Sequence, residues 1–64
     1  MSFMGFFPSD RERRLAGDEA ADALDKHGDE AATVLLDKAR QTHSTERRTV
    51  YKLARKIVLE RRSL

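Results

Sequence analysis

Sixty-four residues make one domain at most, and a chain this short buries only about 60% of the surface its unfolded form exposes. The absence of Cys excludes disulfides and Cys-based metal sites, while 6% aromatic and 38% charged residues argue for helices over a β-sandwich. The net charge of +2 conceals opposed halves: residues 1–39 carry five Lys/Arg against nine Asp/Glu, and residues 40–64 carry eight against two. A basic tail of this kind attracts nucleic acid, an anionic membrane, an acidic protein surface or the acidic half of a second copy.

The chain opens on MSFMGFFP, where Phe3, Met4, Phe6 and Phe7 gather three of the four aromatic residues. It lacks a basic n-region and Pro8 cuts it short, so it does not read as a secretory signal. No stretch approaches the roughly 20 apolar residues that span a bilayer. A small secreted domain would more often carry disulfides, so the expected compartment is the cytoplasm.

Ser9-Asp10-Arg11-Glu12 fits a capping box, with Ser9 as N-cap and Glu12 three residues on. The helix it starts has a poor apolar face, Leu15 and Ala16 only, before Gly17. Residues 9–16 therefore read as a short turn of helix. Residues 1–17 group as an apolar N-terminal arm with that turn, and 18–64 as a single domain.

From Asp18, Ala20, Ala23, Leu24 and His27 recur at i, i+3, i+4, i+7 and predict a helix over about 18–27. Asp18, Asp22, Asp25 and Asp29 line its opposite face. Gly28 suits a left-handed C-cap and Asp29 can cap the next helix. That helix, about 30–42, carries Ala31, Val34, Leu35 and Ala39 on one face with Leu36 at its edge, and Thr42-His43-Ser44 reads as a turn.

The third helix, about 45–62, is the longest. Val50, Leu53, Ala54, Ile57 and Val58 form its apolar face, flanked by Tyr51. Arg48, Lys52, Arg55 and Arg62 recur at i, i+4, i+7, i+14 as a basic stripe, with Leu59 in its midst. The fold class is all-α: a small three-helix arrangement with short, antiparallel connections. Its core is thin, so support from dimerisation or from docking of the Phe-rich arm is expected, and the chain is expected to self-associate, as a homodimer or other homo-oligomer.

Around His27-Gly28-Asp29-Glu30-Ala31 the chain resembles a class of short, uncharacterised bacterial all-helical proteins with an H-G-[DE]-x-A turn. There the turn joins two alanine-rich helices and a longer basic helix follows. The resemblance covers roughly residues 18–62 and implies architecture rather than activity. The Phe-rich start and the heavily basic third helix go beyond that pattern.

Catalytic chemistry finds no support in the residues. His27 reads as a packed histidine at a helix end and His43 as a turn residue; the pair lacks metal-ligand spacing. The serines sit at ends and turns without a nucleophile motif, and the three glycines make no phosphate-cradling loop. No enzyme, cofactor or metal is expected, and the acidic stripe reads as a solvated face, because a rigid helix face cannot wrap Ca²⁺.

The expected function is a non-enzymatic protein–protein interaction or regulatory module. Its partner-binding surfaces are the arm (Phe3, Met4, Phe6, Phe7) and the basic face (Arg48, Lys52, Arg55, Leu59, Arg62). One alternative is nucleic-acid binding through that face, in a helix-turn-helix reading with Thr45, Arg48, Thr49 and Lys52 toward the major groove. Another is peripheral membrane attachment, with the phenylalanines inserting and Arg11, Arg13 and Arg14 meeting headgroups.

Overall fold

The computed structural model of the chain describes residues 9–62, and every element among them is helical. Helix α1 (Asp10–His27) passes through a 3₁₀ turn (Gly28–Glu30) directly into α2 (Ala31–Gln41). Helix α3 (Thr45–Arg62) follows after a short link. The arm residues Phe3, Met4, Phe6 and Phe7 lie outside the described residues.

The start of α1 differs from expectation. Ser9 does form the capping box: its N–H donates to Glu12 Oε1 at 2.9 Å, and its Oγ accepts from the Glu12 N–H at 3.2 Å. The helix so started does not stop at Gly17 but continues to His27, so the expected division at residue 17 falls inside α1. The reason is tertiary. Ala16 is fully buried and extends the stripe Ala20–Ala23 by one turn, so packing outweighs the roughly 1 kcal/mol that a mid-helix glycine costs.

At the other end, Gly28 adopts φ 55° and ψ −119°, the geometry of the first central residue of a type II′ turn rather than the expected left-handed helical cap. Asp29 lies within the 3₁₀ turn, and Glu30, at the N-cap position of α2, makes no side-chain capping bond. His27, expected to pack, is exposed, because the buried stripe of α1 ends one turn earlier at Ala23. The link before α3 matches the expected turn: Thr42 Oγ1 accepts from the Ser44 N–H, and Ser44 Oγ accepts from the Arg47 N–H, each at 3.2 Å.

Three buried stripes meet in the centre, and each contains residues four apart: Ala16–Ala20 with Ala23 on α1, Ala31–Leu35–Ala39 on α2, Val50–Ala54–Val58 on α3. Rows of i±4 residues are the commonest ridges in helix packing. Among the described residues seven of the ten buried ones are alanine, and only Leu35 and Val58 are large side chains sealed completely. Leu24, Tyr51, Leu53 and Ile57 pack against this cluster half-buried. Helix α3 lies against both α1 and α2, which touch each other less, giving a thin body of 38 × 29 × 17 Å.

The two glycines predict opposite outcomes. A Cβ on Gly17 meets nothing within 4 Å, so Gly17→Ala should raise unfolding stability by about 0.5–1 kcal/mol in a urea titration. Gly28→Ala also has space but must hold a positive φ, and should lower stability by about 1–3 kcal/mol in the same assay.

Leu35 is the largest sealed side chain in a core of alanines. Leu35→Ala should therefore cost about 2–5 kcal/mol, enough to leave a 64-residue chain largely unfolded by circular dichroism at 25 °C. Loss of less than 1 kcal/mol would contradict this core.

Candidate functional site

The basic stripe of α3 divides in two when its bonds are traced. Arg48 turns toward α2: its Nε donates to the Ala39 carbonyl at 3.3 Å and its Nη2 to the Thr42 carbonyl at 3.1 Å. These carbonyls end α2, where the last turn leaves acceptors without helical partners and a cation is favoured. About four helical turns further on, Arg62 Nη1 donates to the Asp29 carbonyl at 3.2 Å, in the 3₁₀ turn that leads into α2. The two arginines thus strap both ends of α2 to α3 and fix the pair as antiparallel. Arg55, midway between them in sequence and on the same side of the helix, is half-buried.

Lys52, at the edge of this seam, remains exposed, as does Lys56. Leu59 is 38% exposed on the same outer side. Of the five expected basic-face residues, the structure therefore brings Lys52, Arg55 and Leu59 to one surface and engages Arg48 and Arg62 within the fold.

An open groove of about 370 Å³ runs along the α2–α3 seam, lined by Leu36, Ala39 and Arg40 of α2 and by Arg48 and Lys52 of α3. Three cations rim an aliphatic floor, and among the described residues no carboxylate lines it. Leu36 and Arg40 were not among the expected site residues. Their spacing of four on α2 was the available signal, since it sets them on one flank beside the buried face.

A second groove, about 290 Å³, lies between the starts of α1 and α3. There Arg11 and Arg47 are matched by Glu19 and Glu46 around Leu15 and Tyr51, so its charge is balanced. Leu15 is 39% exposed. Near it Lys38 joins all three helices, with Nζ 3.9 Å from Glu19 Oε1 and 5.9 Å from the centre of the Tyr51 ring. These side chains are part-exposed, and such pairs contribute about 0–1 kcal/mol.

The acidic stripe sits on the far side of α1. Asp18, Asp22 and Asp25 are exposed, opposite the buried Ala16, Ala20 and Ala23, so they face away from α2 and α3. Asp22 Oδ1 pairs with Lys26 Nζ at 3.3 Å within the helix. Among the described residues no three His, Cys, Asp or Glu side chains converge as a metal site requires, and no helix is long and apolar enough to cross a membrane. Comparison with protein-family models, curated proteins and solved structures finds no match to the chain.

The two roles within the basic stripe are separable. Arg48→Ala removes two hydrogen bonds to the end of α2 and should cost about 1–2 kcal/mol of unfolding free energy. Lys52→Ala, on the open side, should change it by no more than about 0.5 kcal/mol. Equal effects in parallel urea titrations would remove the distinction between strap and free surface.

Proposed function

We propose that the chain is a non-enzymatic, cytoplasmic helical interaction module that self-associates and regulates or scaffolds a partner protein. In this reading it is a three-helix arrangement preceded by an apolar arm, in keeping with the H-G-[DE]-x-A class it resembles. The observation that carries the reading is the α2–α3 groove, where Arg40, Arg48 and Lys52 surround Leu36 and Ala39 with no carboxylate from the described residues. A shallow apolar floor inside a cationic rim suits a helix or peptide bearing acidic residues, which gains both aliphatic contact and charge attraction.

Lys52 lines this groove, and Arg55 and Leu59 are proposed to extend the contact along α3 beyond it, while Arg48 and Arg62 act on it by holding α2 and α3 together. The arm, Phe3, Met4, Phe6 and Phe7, is the second proposed contact surface. Self-association is supported by the small size of the core: alanine methyl groups contribute little each, and apolar surface buried between copies adds to the folded state.

A phosphate backbone is the second reading, favoured by the same cation-only rim. It separates from the first by salt. Neutralising several phosphates makes affinity fall steeply as salt rises, whereas a contact with a large apolar share changes less.

Folding linked to association makes the melting midpoint concentration-dependent. The thermal midpoint of the full chain should rise by several degrees between about 5 and 500 μM, as a mass-action effect of this kind requires. A constant midpoint together with a monomeric mass across that range would remove self-association from the reading.

A further inference from the structure

We propose that the α2–α3 groove receives the acidic outer face of α1 from a second copy, so that copies join head to tail. This rests on the self-associating module proposed above and names the two surfaces that meet. One is the groove, with Arg40, Arg48 and Lys52 around Leu36. The other is the strip Asp18–Ala21–Asp25, whose members follow at i, i+3, i+7 and are all exposed.

The two surfaces match in shape as well as charge. Ala21 is the smallest side chain with a Cβ, so the strip between the two aspartates is low and α1 can approach the Leu36 floor closely. Asp18 and Asp25 then stand on either side of the contact, within reach of the rim cations. Asp22 is partly neutralised by Lys26 at 3.3 Å, and Arg14, one turn before Asp18, ends the acidic strip, so Asp18 and Asp25 carry the attraction.

The geometry also decides the symmetry. The acidic strip faces away from α2 and α3, while the groove lies on their outer seam, so donor and acceptor surfaces sit on different sides of one molecule. A two-fold axis would have to match both groove–strip pairs at once, which surfaces on opposite sides of the body do not allow; two copies therefore meet through one pair and leave the other to recruit a further copy. The contact is therefore heterologous and extends or closes into a ring, unlike the isologous interface of a simple dimer. The leucine in the groove favours a protein helix over a phosphate backbone, which offers it no aliphatic contact.

The test uses two full-length variants, each reversed on one surface and leaving Arg48 in place. Arg40→Glu with Lys52→Glu disables the groove; Asp18→Lys with Asp25→Lys disables the strip. By sedimentation at low salt the wild-type chain should form assemblies that dissociate as salt is raised. Each variant alone should associate at least about tenfold more weakly. An equimolar mixture should regain assembly, because the unchanged groove meets the unchanged strip and the reversed groove meets the reversed strip. Circular dichroism checks the folds; should either reversal unfold the chain, the neutral Lys52→Gln and Asp18→Asn variants should each weaken association about two- to fivefold.

If wild type assembles but the folded variants assemble equally well, the head-to-tail contact is overturned and the interaction module stands. A mixture that stays monomeric overturns it too. A wild-type chain that is monomeric at every concentration overturns self-association itself, and salt-sensitive binding of that monomer to DNA would favour the phosphate reading.

Discussion

Close approach of helices through alanine stripes is the constraint on which this structure depends. With so few large apolar residues, the chain gains its interior by bringing backbones together. Alanine loses no side-chain entropy on burial and keeps the helix axes near. The arrangement requires the stripes to be long, so α1 has to run through Gly17 to present Ala16 beside Ala20 and Ala23. It also leaves no wide interior. A body 17 Å thin holds its larger side chains, Leu15, Leu36 and Leu59 among them, at or near the surface, and that is where any partner has to meet the chain.

Such a core gives little resistance to sliding, because alanines interlock less than branched side chains. The arginines supply part of what is missing. Arg48 and Arg62 bond backbone carbonyls at the two ends of α2, a helix of eleven residues that would be marginal alone. A carbonyl acceptor has a fixed place on the backbone, so these bonds set the register of α3 along α2 more firmly than exposed ion pairs would. The basic character of α3 thus has a structural origin over part of its length, and only the remainder is surplus charge facing outward.

That surplus gives the molecule its polarity. Lys52 and Arg40 collect along the α2–α3 side, while the aspartates of α1 collect on the side turned away from it. The helices are short and the body thin, so both fields reach solvent with little protein in between. The balanced groove between α1 and α3, where two arginines meet two glutamates, shows the contrast: charge compensated within the fold leaves little to attract a partner.

Much of this was legible locally. The Ser9–Glu12 capping box, the turn at Thr42–Ser44, the break at Gly28 and the periodic stripe of α3 all depend on residues within a few positions of one another, so the sequence alone determined the helical class and most helix ends. Position on a helix also settled which aspartates face outward. What the sequence could not decide was where weak local signals meet distant partners. Gly17 is helical because Ala16 packs across the fold; His27 is exposed because the buried stripe stops at Ala23. Arg48 and Arg62 look identical to Lys52 and Arg55 on a helical wheel, and only the placement of α2 beside α3 makes two of them straps and leaves the others at the surface. A side chain's periodicity fixes the direction it points, but its role depends on what the tertiary structure sets at the end of that direction.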